Sequence, residues 1–263
     1  MDNESAYGRF QGDIVITPPG PGAGRGMGVS ISPDGARALV CVPNQGSLIA
    51  FDTNTGRAVA TVKHESDLQQ PVRSIFSNDG GRGFYIHNNK TGISVYRTSD
   101  WKLERTVELG GGLRRLALCQ EKSNLYVAQE GGLLVVDSVN LGLKNTIPIA
   151  KVIDDLVVSP DGENIYVLAG DRLFIVKVSN WQVRSIPING GDPGYGCISL
   201  SVDGRRAYIV GNYQGGTLHV LDIDEEVVSA SINVGMGGGR DCKLHPSGRY
   251  FYYLSEYEAK VCV

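Results

Sequence analysis

The stretch Leu156–Ile188, LVVSPDGENIYVLAGDRLFIVKVSNWQVRSIPI, contains three apolar runs separated by two turn sequences. The first turn is Ser159-Pro160-Asp161-Gly162, and the second is Ser179-Asn180-Trp181. Short runs rich in β-branched and aromatic residues, bounded by turn residues, are typical of β-strands. The stretch therefore predicts a compact stack of antiparallel strands.

The Ser-Pro-Asp-Gly turn has relatives along the whole chain, at intervals of 40–45 residues. The segment from Cys119 to Lys122 lacks the turn residues but occupies the corresponding position in its repeat. It is followed by Leu125-Tyr126-Val127, just as the first turn is followed by Ile165-Tyr166-Val167. The other relatives are Ser32-Pro33-Asp34-Gly35, Ser77-Asn78-Asp79-Gly80, Ser201-Val202-Asp203-Gly204 and His245-Pro246-Ser247-Gly248.

Each repeat predicts one strand before the turn and three after it, which is typical of a propeller blade. We therefore expect an all-β, six-bladed β-propeller with four antiparallel strands per blade, in a single domain spanning residues 1–263. The last repeat stops in its third strand, at Val261-Cys262-Val263. The segment at about residues 9–17 is similar to a fourth strand, so we expect it to complete the C-terminal blade and remove the open edge.

The repeat resembles the YVTN type of β-propeller repeat. The shared features are Ser-Pro-Asp-Gly, the following Ile165-Tyr166-Val167, and third strands that end near aspartate, as in Phe51-Asp52, Val136-Asp137 and Leu221-Asp222. The resemblance implies the propeller fold and little about activity, because the family includes lactonase-like enzymes, lyases, surface proteins and binding scaffolds. A WD-repeat propeller fits less well, since no Gly-His and Trp-Asp pair recurs.

The amino-acid composition limits the expected classes of binding partner and the expected cellular compartment. The net charge is −3 without any basic block, so neither nucleic acid nor a membrane surface is an expected partner. No apolar run approaches the roughly 20 residues of a membrane helix. The five cysteines are odd in number and lack C-x-x-C spacing, which favours free buried thiols in a reducing compartment. The acidic start, without an apolar segment, favours a cytoplasmic protein.

The first strand of each blade lines the channel of a propeller, so positions counted back from each turn locate the channel mouth. Four residues before the turns are Gly28, Arg73, Arg115, Asp155, Cys197 and Asp241, and the preceding positions add Arg114, Asp154 and Arg240. Asp154 and Asp155 alternate in direction on a strand, so only one of them is expected to point into the channel. The residues directly before the turns are expected to pack between blades: Ile31, Phe76, Leu118, Val158, Leu200 and Leu244.

These residues predict acid–base chemistry without a cofactor on an oxygenated or anionic small molecule: isomerisation, elimination, cyclisation or lactone opening. Arginine forks can hold a carboxylate or a polarised carbonyl, and an aspartate with a raised pKa can act as a general base. The predicted catalytic residues are Asp155, Asp241, Tyr195 and His87. The predicted substrate-binding residues are Arg73, Arg114, Arg115, Arg240, Asn88, Tyr213 and Tyr257.

Two other hypotheses use the same residues. Arginine and aspartate rings can pair with one another and simply close the channel, which would leave a non-catalytic propeller that binds a protein partner or a ligand. A Ca²⁺ ion could bind Asp155, Asp241 and loop asparagines, but the carboxylates are few and the neighbouring arginines many. We therefore expect no metal.

Overall fold

The computed structural model describes residues 28–42, 46–63, 71–87, 92–119, 122–149, 152–188, 196–211, 216–234, 239–245, 247–255 and 260–262. Within these ranges the chain forms antiparallel sheets and no helix, so the prediction of an all-β fold is confirmed. No helix in this part of the chain is long and apolar enough to cross a membrane.

The strands pair in chain order within six sheets. Sheet 1 contains β1 (Gly28–Ile31), β2 (Arg37–Val42), β3 (Ser47–Asp52) and β4 (Ala58–Lys63). Sheet 2 contains β5 (Pro71–Phe76), β6 (Arg82–His87), β7 (Gly92–Arg97) and β8 (Lys102–Glu108). Sheet 3 contains β9 (Arg115–Cys119), β10 (Asn124–Gln129), β11 (Gly132–Asp137) and β12 (Leu143–Pro148).

The remaining sheets follow the same plan. Sheet 4 contains β13 (Asp155–Val158), β14 (Asn164–Ala169), β15 (Arg172–Lys177) and β16 (Val183–Pro187). Sheet 5 contains β17 (Cys197–Leu200), β18 (Arg206–Val210), β19 (Thr217–Asp222) and β20 (Val227–Asn233). Among the described residues, sheet 6 has three strands: β21 (Gly239–Leu244), β22 (Phe251–Ser255) and β23 (Lys260–Cys262). The N-terminal strand predicted at about residues 9–17 lies outside the described residues.

A hydrogen-bonded turn sets the register between the first two strands of a sheet. In sheet 4 the Ser159 hydroxyl donates to Asp161 at 2.5 Å and accepts from the Asn164 amide at 2.9 Å. Asp161 accepts from the Glu163 amide, and the Gly162 amide donates to the Ser159 carbonyl, each at 2.9 Å. The same serine–aspartate bond recurs in sheets 1, 2 and 5. In all four turns it lowers the aspartate pKa: Asp34, Asp79, Asp161 and Asp203.

In sheet 6 a histidine replaces the serine of this turn. His245 Nδ1 is hydrogen-bonded to the Ser247 hydroxyl at 2.8 Å and accepts from the Ser247 amide at 3.1 Å. The Gly248 amide donates to the His245 carbonyl, as the glycine does in the other turns. The turn is therefore kept although its side chains have changed.

The hydrophobic core consists of separate layers between neighbouring sheets. Tyr85 packs with Leu39 between sheets 2 and 1, and Phe84, on the opposite face of β6, packs with Leu125 between sheets 2 and 3. Similar layers join sheets 3 and 4, sheets 4 and 5, and sheets 5 and 6. The first strands β1, β5, β9, β13, β17 and β21 contact one another in this order. The sheets therefore stack face to face, with their first strands on the inside.

One of the predicted inter-sheet residues is not buried. Phe76, Leu118, Val158 and Leu200 belong to the layers between sheets, but Ile31 is 54% exposed, so the prediction for Ile31 is wrong. The physical reason is that β1 packs on one side only. The hydroxyl of Ser30 in β1 is hydrogen-bonded to that of Ser74 in sheet 2 at 3.0 Å. Ile31 points to the opposite face of β1, where the described residues of sheet 6 make no extended contact with this strand.

We predict that Gly35→Ala destabilises the fold by about 1 kcal/mol, the usual cost of a left-handed backbone at a residue with a Cβ. Gly35 has φ +71° and open space around an added Cβ, so the effect would come from the backbone alone. Gly111→Ala is the matched control, because its Cβ also meets nothing and its φ is not in that region. Urea unfolding of both variants provides the test, and equal stabilities would contradict the assignment.

Candidate functional site

Four charged side chains from the first strands meet near the axis of the stacked sheets. They are Arg73 of β5, Arg115 of β9, Asp155 of β13 and Asp241 of β21, and we call them the central cluster. Arg115 interacts electrostatically with the other three. Counting back from the turns therefore identified residues that are up to 168 positions apart in the sequence and that the fold brings together.

The central cluster consists of two ion pairs. Arg73 Nη1 lies 3.0 Å from Asp241 Oδ2, which connects sheets 2 and 6. Arg115 Nε lies 3.3 Å from Asp155 Oδ1, which connects sheets 3 and 4. The second pair is the more enclosed, with side chains 22% and 18% exposed, against 18% and 37% for the first. Both ion pairs connect strands that belong to different sheets.

Every carboxylate oxygen of the central cluster has a protein donor. Asp155 Oδ2 accepts from the Ile198 amide at 3.1 Å, and Asp241 Oδ1 accepts from the Cys242 amide at 2.9 Å. The other two oxygens, Asp155 Oδ1 and Asp241 Oδ2, form the ion pairs with Arg115 and Arg73. A general base needs an oxygen within hydrogen-bond reach of the substrate proton. In this arrangement Asp155 and Asp241 instead tie neighbouring strands together.

Burial sets the electrostatics of the enclosed pair. Burial raises the pKa of Asp155, and the charge of Arg115 only partly opposes this. Burial likewise lowers the pKa of Arg115, and the nearby charge of Arg73 lowers it further. Desolvation therefore outweighs the attraction within the pair, which is common for ions removed from water.

The neighbouring residues Asp154 and Arg114 do not join the central cluster. Asp154 is buried, and its carboxylate accepts from the Gly170 amide at 2.9 Å. Burial raises the pKa of Asp154 as well. Arg114 is exposed. Of the two consecutive aspartates, Asp155 forms the ion pair with Arg115, and Asp154 feels the charges of Arg115 and Arg114 without an ion pair in the described residues.

His87 lies in the interior of sheet 2. It is fully buried, and its Nε2 is hydrogen-bonded to the Ser94 hydroxyl at 2.9 Å, which in turn is hydrogen-bonded to Thr106 at 2.8 Å. Its ring packs 4.7 Å from that of Tyr85. These contacts connect β6, β7 and β8 of one sheet.

Asn88, Tyr195, Tyr213 and Tyr257 lie outside the described residues, as does the side chain of Arg240. In the described ranges, no group of three or more histidine, cysteine, aspartate or glutamate residues is arranged to hold a metal ion.

The structure also reveals two grooves that the sequence did not indicate. We call the ends of the sheets that carry the serine–aspartate turns the turn face, and the opposite ends the loop face. On the turn face, a groove of about 760 Å³ between sheets 5 and 6 is lined by residues that include Arg206, Tyr208, Asp222, Asp224 and Glu225. A second groove, of about 430 Å³, lies between sheets 4 and 5 and shares Asp203, Arg205 and Asp224 with the first.

Comparison with known proteins supports the fold and leaves the activity open. No protein-family model matches the chain, and no curated protein matches it. One similar solved structure is the hydrazine synthase of Kuenenia stuttgartiensis, with a TM-score of 0.80 and 16% identity over 90% of this chain and 82% of that one. In all, 1784 chains of known structure are similar. The chain has a β-propeller-like all-β fold, and a fold this common selects no chemistry by itself.

We predict that substituting Arg115 lowers the stability of the protein more than substituting its partner Asp155. Arg115→Gln leaves a buried carboxylate without its cation and should cost about 3 kcal/mol at pH 7. Asp155→Asn should cost much less, because asparagine can still accept from Ile198 and Arg115 keeps Asp241 nearby. Adding Asp155→Asn to Arg115→Gln should therefore restore most of the lost stability, as urea unfolding would show.

The cost of Arg115→Gln relative to wild type should also depend on pH. The charge of Arg115 lowers the pKa of the buried Asp155, so its removal raises the folded-state pKa further above the ordinary aspartate value of about 3.9. The variant therefore loses more stability than wild type as the pH rises above that value. The penalty should be small near that pH and should grow as the pH rises through the folded-state pKa. A penalty that is the same at pH 4 and pH 7 would contradict the burial of a charged Asp155.

Proposed function

We propose that the chain closes into a six-bladed β-propeller in which the segment at about residues 9–17 supplies the fourth strand of sheet 6. The Arg73–Asp241 pair supports six blades, because its two side chains bridge sheets 2 and 6 at 3.0 Å. Sheet 1 contacts sheet 2 through β1 and β5, so a sheet 6 that also reaches sheet 2 at the axis lies on the far side of sheet 1. Sheet 6 also has three described strands where each other sheet has four.

Deleting residues 1–17 should then destabilise the protein by about 3 kcal/mol or more, because a strand of this length contributes several hydrogen bonds of about 0.5–1.5 kcal/mol each. Deleting residues 1–7, which precede the proposed strand, is the control and should change little. A peptide of residues 9–17 should restore stability to the shortened chain. Equal melting temperatures for the two deletions would reject this closure.

We propose further that the protein is a non-catalytic binding scaffold. The observation that carries this proposal is that all four carboxylate oxygens of Asp155 and Asp241 are engaged by arginine or backbone donors. The charges at the axis neutralise one another and hold strands of different sheets together. These contacts give both aspartates a structural role that requires no substrate.

The turn face is the surface that we propose for the partner. Its two grooves are open and polar, whereas small-molecule sites are mostly apolar and enclosed. Asp203, Asp222, Asp224 and Glu225 outnumber Arg205 and Arg206 along the larger groove. Such a surface is complementary to a polypeptide segment that carries lysine or arginine side chains.

A second candidate function is the cofactor-independent acid–base enzyme, with an oxygenated or anionic substrate at the channel. The raised pKa of the buried Asp155 beside Arg115 favours it, because perturbed pKa values cluster at functional sites. An anionic substrate would take the place of Asp241 on Arg73. A small carboxylate that raises the melting temperature of wild type, but not that of Arg73→Gln, would support this candidate.

The scaffold proposal predicts selective binding of basic peptides on the turn face. An array of immobilised basic, neutral and acidic peptides would be incubated with the wild type and two charge-reversed variants. Glu225→Lys lies in the larger groove and should weaken the binding of basic peptides several-fold. Glu130→Lys alters an equally exposed glutamate on the loop face, between β10 and β11, and should leave binding unchanged.

The binding should weaken with added salt, since it depends on exposed charges. Equal loss in both variants, or no preference among the three peptide classes, would overturn the choice of the turn face. Turnover of a small molecule that is abolished by Asp155→Asn would transfer the assignment to the enzyme.

A further inference from the structure

Two cysteine thiols meet where sheets 5 and 6 pack together. Cys197 is the first residue of β17 and Cys242 lies in β21, and these two inner strands are in contact. Both residues are buried, at 0% and 3% exposure, in the same apolar layer with Val210, Leu218 and Tyr253. Both cysteines belong to this one cluster of contacting side chains, so the packing of β17 on β21 brings them together in the reduced protein.

The other cysteines with described side chains have different surroundings. Cys41 is packed between sheets 1 and 2, and Cys119 lies between sheets 3 and 4 with its thiol directed at the Gly162 carbonyl at 3.9 Å. Both are free and fully buried, like the first two. Burial is therefore common to all four thiols, and the shared layer distinguishes Cys197 and Cys242.

The charges around the pair differ for its two members. The guanidinium of Arg115 is a neighbouring charge of Cys197, whereas the carboxylate of Asp155 is a neighbouring charge of Cys242. Burial raises the pKa of Cys242, and the neighbouring Cys197 and Asp155 raise it further. Because this keeps Cys242 protonated, we assign the first attack on the oxidant to Cys197 and the second attack, on the oxidised sulfur, to Cys242.

We propose that Cys197 and Cys242 form a reversible disulfide on oxidation by a hydroperoxide. The Cys197 thiolate attacks one peroxide oxygen, the O–O bond breaks, and the products are a sulfenic acid and, after protonation, one water. The sulfur of Cys242 then attacks the sulfenic sulfur, the S–O bond breaks, and the leaving hydroxide takes the Cys242 proton as a second water. The two thiols together supply the two electrons that reduce one hydrogen peroxide to two waters.

The disulfide would clamp sheet 6 to sheet 5 at their inner strands. It closes a long loop, because the stretch from Cys197 to Cys242 contains almost all of sheet 5 and the start of sheet 6. A cross-link over a loop of this length restricts the unfolded chain and stabilises the folded one. In a reducing compartment such a bond is transient and redox-sensing, since cellular thiols reduce it again.

The test exposes the folded protein to hydrogen peroxide, blocks the remaining thiols after denaturation, and maps the peptides without reduction. We expect a linked Cys197–Cys242 peptide, an intact mass lower by two hydrogens, and a melting temperature raised by about 5–10 °C. Dithiothreitol should reverse all three changes. The wild-type measurement requires no variant, so it remains decisive even if a substitution impairs folding.

Variants identify the two partners. Cys197→Ser and Cys242→Ser should each abolish the linked peptide and the shift in melting temperature, whereas Cys41→Ser, at an equally buried thiol, should keep both. A sulfenic acid should accumulate at Cys197 in the Cys242→Ser variant. Oxidation that spares both thiols, or a disulfide that joins Cys242 to any other cysteine, would overturn the proposal.

Discussion

A serine hydroxyl that bonds an aspartate and a backbone amide at once holds the first turn in four of the sheets. This turn fixes which residues of the first and second strands lie opposite each other. A slip of one residue would move every side chain of the strand to the opposite face. In sheet 4 such a slip would turn Asp155 away from Arg115 and leave both charges unpaired in the interior, which is costly. The ion pairs at the axis therefore depend on turns at the surface.

The same constraint explains why the sequence located the central cluster. Side chains alternate strictly along a strand, so a position counted from a recognisable turn has a definite direction. Counting back four residues found Arg73, Arg115, Asp155 and Asp241 without any knowledge of the sheets around them. The pairing of these residues could not be found in this way. Arg73 meets Asp241 across the axis, and no local pattern encodes a contact between residues so far apart in the chain.

His87 and Ile31 show where local patterns are insufficient. His87 follows an apolar run and precedes two asparagines, which is a pattern typical of the end of a strand. Strand β6 nevertheless continues through His87, and its ring is buried beside Tyr85. Ile31 has the same place in its repeat as Phe76, yet Phe76 packs in the layer between sheets 1 and 2. Ile31 faces the other side of β1, where the described residues of sheet 6 make no extended contact. Burial depends on the neighbouring sheet, which a repeat pattern does not specify. The grooves of the turn face arise in the same way, between sheets rather than within one.

Sheet 6 is where the long-range links of the protein meet. The Arg73–Asp241 pair connects it to sheet 2, and the packing of Cys197 and Cys242 in one layer connects it to sheet 5. These links share one piece of backbone, because the amide of Cys242 donates to the carboxylate of Asp241. A change in the sulfur of Cys242 would therefore act directly on the amide that orients Asp241 towards Arg73. Sheet 6 is thus held to its neighbours by the packing of β21 on β17 and by an ion pair that reaches sheet 2.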